Sequence, residues 1–208
     1  MKRFVVLGIF LVLVGAVSAE AEIRAGLIGA FALTPDGDYG NGPTFGASLG
    51  VGLTKNLEVE LSVLRSQFPA SGTATGLTKG QVATLPIELR LLYRFTIEGS
   101  HYVPYVAAGA GYSPTSFSVD SGGVGGWNKV NFDLTETVKG GPCASAAAGV
   151  EITISPTFVL ALEARYDLVR SSGAWQMTDR ESGVAVSGSL SSLKLDALLL
   201  GVGLKFSF

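Results

Sequence analysis

One pattern constrains this chain more than any other: a two-residue alternation of apolar and small or polar side chains, repeated eight times in segments of strand length. The last repeat is the sharpest. Leu198, Leu200, Val202, Leu204, Phe206 and Phe208 alternate with Leu199, Gly201, Gly203, Lys205 and Ser207. A period of two is the signature of a strand with two unlike faces. An apolar face that ends in exposed aromatics, backed by a face of glycines and a lysine, fits a strand between lipid and a packed lumen.

The other seven segments follow the same rule. In 22–33, Ala25, Leu27, Phe31 and Leu33 face outward and Arg24 inward. In 44–53, Phe45, Ala47, Leu49, Val51 and Leu53 oppose Gly46, Ser48, Gly50 and Gly52. In 57–67, Leu57, Val59, Leu61 and Val63 oppose Glu58, Glu60 and Ser62. Segment 82–95 sets Leu85, Ile87, Leu89, Leu91, Tyr93 and Phe95 against Glu88, Arg90 and Arg94. In 102–112, Gly109 and Gly111 face in, which places Val106, Ala108, Ala110 and Tyr112 outward. In 143–154, Ala144, Ala146, Ala148, Val150, Ile152 and Ile154 oppose Ser145, Gly149, Glu151 and Thr153. In 157–169, Phe158, Leu160, Leu162, Ala164, Tyr166 and Leu168 oppose Glu163, Arg165 and Asp167. Each segment is about the length that a tilted strand needs to cross a bilayer. The expected fold is all-β, an eight-stranded antiparallel up-and-down transmembrane β-barrel. A ten-stranded barrel is the competing count, because 130–138 also alternates; that stretch reads as strand extension above the membrane.

The connections are unequal. Segments 54–56, 96–101 and 155–157 are short; 34–43, 69–81, 113–142 and 170–192 are long, polar and rich in Gly and Ser. Short periplasmic turns and long external loops are the outer-membrane arrangement. Aromatics sort with it. Tyr93, Phe95, Tyr102, Phe158, Phe206 and Phe208 fall at the short-turn end, and Phe31, Phe45, Tyr112 and Tyr166 near the long-loop end. Two such belts are expected at the two interfaces.

The N-terminus reads as a secretory leader. Met1, Lys2 and Arg3 precede an apolar run over 4–17, and Val17-Ser18-Ala19 supplies small residues before Glu20. The run is too short for a comfortable membrane helix. Cleavage after Ala19, or after Ala21, is expected, so 1–19 is a signal peptide and 20–208 the barrel domain. With Lys2 and Arg3 removed, the 15 basic residues fall to 13 against 17 acidic ones, a net charge of −4. That argues against a nucleic-acid partner.

Inward charges form the candidate site. Arg24, Arg90, Arg94, Arg165 and Lys205 are expected to face Glu58, Glu60, Glu88, Glu151, Glu163, Asp167 and Asp196. Eight strands leave an interior that side chains can fill, and ions there must be paired. A salt-bridge plug is the expected outcome; a gated ion path is the alternative, and the inward glycines would then leave small wet cavities. The lone Cys143 excludes an internal disulfide and reads as a small buried or lipid-edge residue.

Catalytic chemistry is missing. The single histidine, His101, lies in a short turn with no nucleophile nearby in sequence. No Cys/His cluster offers a metal site. Gly122-Gly123-Val124-Gly125-Gly126 lacks the strand, helix and Lys-Ser/Thr context of a phosphate loop. Trp127 and Trp175, in the two longest loops, read as packing residues. No enzyme activity and no cofactor are expected.

The chain resembles the small outer-membrane β-barrel proteins of the OmpA-barrel, OmpW and OmpX type, often described as porin-like. The resemblance covers the whole mature chain. It rests on the leader, the eight segments, the stretch Tyr102-Val103-Pro104-Tyr105-Val106-Ala107-Ala108-Gly109-Ala110-Gly111-Tyr112, and the closing Gly201-Val202-Gly203-Leu204-Lys205-Phe206-Ser207-Phe208. It implies outer-membrane lipid and lipopolysaccharide as surroundings, and a terminal strand, with Phe206 and Phe208, read by the barrel-assembly machinery. It also implies a structural or surface-interaction role, with a narrow channel for small apolar or ionic solutes as the alternative. Unlike full-length OmpA, the chain is expected to lack a periplasmic peptidoglycan-binding domain.

Overall fold

The computed structural model describes residues 22–35, 39–70, 80–119 and 132–208. The signal-peptide reading, the Gly122–Gly126 run and Trp127 lie outside these residues. Among the described residues twelve strands form: β1 (Ile23–Leu33), β2 (Gly42–Gly52), β3 (Leu57–Ala70), β4 (Gly80–Thr84), β5 (Ile87–Arg94), β6 (Tyr102–Ser113), β7 (Thr115–Val119), β8 (Phe132–Lys139), β9 (Gly141–Ser155), β10 (Phe158–Asp179), β11 (Ala185–Lys194) and β12 (Ala197–Ser207). Eight of them, in the order β1-β2-β3-β5-β6-β9-β10-β12, close into an antiparallel ring, sealed where β1 pairs with β12 from Arg24↔Ser207 to Leu33↔Leu198. The eight-stranded expectation holds for the ring, and the ten-stranded alternative does not.

The other four strands are continuations of ring strands beyond local bends. β4 runs into β5 through Leu85-Pro86, β6 into β7 through Pro114, β8 into β9 through Gly140, and β11 into β12 through Leu195-Asp196. A proline has no N–H to give to the ladder, so pairing breaks there. The carbonyls still hold the strands together. Leu64 N donates to Pro86 O at 3.1 Å, Leu85 N to Pro114 O at 2.8 Å and Leu195 N to Val169 O at 3.0 Å.

Above the bends the wall divides. On one side β3, β4 and β7 pair in succession; on the other β8, β10 and β11 form a separate three-stranded flap. β6 and β9 pair up to Ser113↔Gly141, after which β7 goes with β4 and β8 with β10. This corrects the reading of 170–192 as a long loop. β10 extends to Asp179 and returns as β11, leaving a tip of only five residues at 180–184. The reading of the 130–138 alternation as strand is met by β8 from Phe132 onward.

The outer surface is apolar and ends in two aromatic belts. Phe31, Phe45, Tyr112 and Tyr166 are exposed at one end; Tyr93, Phe95, Tyr102, Phe206 and Phe208 are exposed at the other. Tyr93 meets Phe95, and Phe158 meets Phe206, edge to face at 5.1 and 5.2 Å. The interior has two zones. Near the long-loop end it is apolar, built from Leu64, Phe68, Val82, Cys143, Val169, Leu195 and Leu199 among others. Below that zone it is charged.

Candidate functional site

Alternation along each ring strand delivers the charges to the lumen. Glu58 and Glu60 on β3, Glu88, Arg90 and Arg94 on β5, Glu151 on β9, Arg165 and Asp167 on β10 and Lys205 on β12 are all buried. Arg24 on β1 and Glu163 on β10 are inward and nearly covered. All eleven take part in ion pairs.

At the short-turn end, Arg94 Nε donates to Glu151 Oε2 at 2.7 Å and Arg94 Nη2 to Glu58 Oε2 at 2.6 Å. Arg24 Nη1 reaches the same Glu151 oxygen at 3.1 Å, and Arg24 Nη2 pairs with Glu22 at 2.9 Å. Lys205 Nζ links this layer to the next, 3.0 Å from Glu151 Oε1 and 3.3 Å from Glu60 Oε2. In the middle layer, Arg90 Nη1 donates to Glu60 Oε1 at 3.0 Å and Arg90 Nη2 to Glu163 Oε2 at 2.7 Å. Tyr105 Oη donates to the same Glu163 oxygen at 2.9 Å. In the third layer, Arg165 Nη2 donates to Glu88 Oε2 at 2.7 Å and Arg165 Nε to Asp167 Oδ1 at 2.5 Å. Ser145 Oγ and Ser62 Oγ complete it, at 2.6 Å from Glu88 and 3.3 Å from Arg165.

Many of these contacts cross the lumen. β5 and β10 are not neighbours in the ring, yet Arg90 reaches Glu163 and Arg165 reaches Glu88. Arg94 on β5 reaches Glu151 on β9, and Lys205 on β12 reaches Glu60 on β3. Forked, charge-assisted contacts between opposite walls fix the lumen at a width that side chains occupy. Several inward glycines sit where the charged side chains leave no room for a Cβ. A Cβ at Gly50 would lie 2.2 Å from Glu58 Oε1, one at Gly109 2.6 Å from Arg90 Cγ, and one at Gly149 2.6 Å from the Tyr105 ring.

One expectation is corrected. Asp196 does not face the lumen. It lies between inward Leu195 and Ala197, and pairs with Arg170 on the outer surface. Val51 keeps its outward parity but is covered, set between Ile23 of β1 and Val59 of β3. Cys143 is buried in the apolar zone of the lumen, which meets the buried reading of that residue. Tyr105 is the interior residue that sequence reasoning missed. The parity set by Gly109 and Gly111 already points it inward. Leu92 is inward by the parity of Arg90 and Arg94, and packs with Tyr105 and Ala107.

Phe206 lies outward on β12. Phe208 is largely exposed at the short-turn rim, where its N–H donates to Ile23 O at 2.9 Å. His101 is exposed in its turn. Trp175 lies over Gly188 of the neighbouring strand, where a Cβ would meet the indole at 2.7 Å.

Comparisons with known proteins agree with this architecture. The outer membrane protein OprG from Pseudomonas aeruginosa matches with a TM-score of 0.66 at 13% identity, over 90% of this chain and 95% of that one. Neisserial surface protein A matches at 0.54 and 16% identity, over 90% and 97%. The Escherichia coli outer membrane protein W matches at 0.53 and 20% identity, over 93% and 100%. Comparison with curated protein sequences finds no match. The profile of the family described as "Outer membrane protein beta-barrel domain" matches residues 4–206, and the chain therefore belongs to that family of outer-membrane β-barrels.

Proposed function

We propose that this outer-membrane barrel is a non-catalytic, non-conducting wall element whose long-loop end presents two strand flaps to the cell exterior. The observation that carries this reading is the set of ion pairs across the lumen, Arg90–Glu163, Arg165–Glu88, Arg94–Glu151 and Lys205–Glu60. An open path would have to break several buried pairs at once, and each pair is costly to break. The short turns face the periplasm. Residues 1–19 direct export and are removed. The exposed Phe206 and Phe208 on the closing strand are the feature offered to the barrel-assembly machinery, and the surrounding lipid includes lipopolysaccharide.

The test is planar-bilayer recording of refolded protein. The expected result is a flat baseline in both polarities. Regular stepwise conductance would overturn the closed-wall reading. A second reading, passage of small apolar solutes, draws on one observation: the upper lumen is lined by Leu64, Phe68, Val82 and Leu195, close to where β7 and β8 part. Saturable binding of an apolar fluorophore that is lost in Phe68→Ser would favour it.

A further inference from the structure

The outer surface of the flap carries a cluster of cations at a height where a membrane protein meets lipid headgroups. Lys194 on β11 is the direct cross-strand partner of Arg170 on β10. Lys139 on β8 is the partner of Ser172, two residues further along the same face of β10. Directly opposed side chains in a sheet lie about 5 Å apart and diagonal ones about 7–8 Å. Three basic side chains therefore share one small patch. Lys139 and Lys194 are exposed. Val138, Val169, Leu193 and Leu195 beside them are buried inward, which fixes the cations as outward.

The groups facing this patch can be named. Among the described residues Asp196 is the one carboxylate, and it is engaged by Arg170 through both guanidinium Nη atoms. Ser172 of β10 and Thr137 of β8 are neutral. Asp133, further out on β8, is paired with Arg180. Lys139 and Lys194 have no ion-pair partner among the described residues. The patch keeps a net positive charge on a chain whose overall charge is −2.

Its height follows from β10. Tyr166 is in the aromatic belt, Leu168 above it is exposed, and Arg170 is the next outward residue. Four residues of a strand with the usual rise and barrel tilt lift Arg170 roughly 10 Å above the tyrosine. That is the headgroup layer, just past the apolar belt.

We infer that Lys139, Arg170 and Lys194 form a binding patch for the phosphate groups of a phosphorylated outer-leaflet lipid. The inference rests on the membrane placement given above, in which the long-loop end faces outward. Lysine and arginine recognise phosphate by charge-assisted hydrogen bonds. Fixing the lipid beside the flap would hold β8, β10 and β11 against the membrane surface.

The experiment uses the refolded full-length barrel in phosphatidylcholine nanodiscs doped with bis-phosphorylated lipid A, with bound lipid counted by native mass spectrometry. Wild type should retain the lipid. The double variant Lys139→Gln/Lys194→Gln should need about thirty-fold more of it, a factor of about five for each lysine at an anionic lipid surface. Lys55→Gln, at the short-turn end, should bind as wild type. Lipid A stripped of both phosphates should bind equally weakly to all three proteins. The inference is overturned if the double variant binds as wild type, or if phosphate-free lipid A binds as well as the phosphorylated form. It is also overturned if millimolar inorganic phosphate displaces the lipid completely, which would mark a free-anion site. Nanodiscs expose both faces, so these outcomes do not depend on orientation. A wrong orientation would show separately, as absent labelling of Gly183→Cys on intact cells.

Discussion

At the scale of single residues, the interior is decided by parity and by space. Arg90 pairs with Glu60 and Glu163 together, so Arg90→Leu should leave Glu163 without a cation and Glu60 with Lys205 alone. The expected loss is about 3–5 kcal/mol, the range for breaking a buried pair, read as a lower urea midpoint at unchanged slope. Gly149 tests the space. Its Cβ would press on the Tyr105 ring and on Leu162 O, so Gly149→Ala should cost about 1–3 kcal/mol from overpacking in the same assay. Unchanged stability would mean the Tyr105 ring is free to move away. Much of this was legible in the sequence, because a strand of known parity sends a charge either to lipid or to the lumen, and lipid is prohibitive. Tyr105 was harder to see. Its neighbours Val103 and Ala107 are as apolar as the outward set, so only the glycines two and three steps on reveal its side. Asp196 was misplaced for a different reason. The bend at Leu195-Asp196 sits where the apolar belt ends, and there an outward acid can be paired by Arg170.

At the scale of elements, the wall is regular in the membrane and divided beyond it. The eight membrane segments were legible because lipid forces clean alternation. The hairpin of β10 and β11 was not. Its residues 171–173 and 187–189 are Ser-Ser-Gly and Ser-Gly-Ser, and a strand with water on one side needs no apolar face to mark it. The hairpin tip makes a test by pH. Asp179 accepts hydrogen bonds from Glu181 N at 2.9 Å and Ser182 Oγ at 2.8 Å, and the backbone bond is the main cause that holds its carboxyl below the usual range. A lowered value means that the tip's order is complete above the ordinary aspartate pKa, about 3.9, and is lost as pH falls through the folded value. Backbone chemical shifts of 179–184 should stay fixed from pH 6 to below that ordinary value before moving. A transition at or above it would contradict the cap. Labelling tests the element order directly. In a Cys143→Ser background, Gly183→Cys should react on intact cells and Asn56→Cys, in the turn between β2 and β3, should not.

At the scale of the whole molecule, two properties come from the ring rather than from any one strand. The first is assembly. Phe208 adds little packing to the fold, being mostly exposed, and its N–H bond to Ile23 belongs to the β1–β12 seam. Deleting Phe208 should impair insertion in cells while leaving refolding in detergent nearly intact. Normal insertion would remove it as an assembly feature, and failure in both settings would make it a part of the seam instead. The second is closure, the central claim. Three layers of ion pairs join strands that are not neighbours, and those pairs cross the lumen below the apolar zone. The most direct measurement is hydrogen exchange at individual guanidinium Nε–H groups by nitrogen-15 NMR in lipid nanodiscs. Arg94 Nε donates to Glu151 and Arg165 Nε to Asp167, both buried, whereas Arg180 Nε donates to Asp133 on the exposed flap. The Arg94 and Arg165 signals should persist at neutral pH with exchange far slower than that of Arg180. Exchange of all three at one fast rate would mean a water-filled lumen and would contradict the closed barrel.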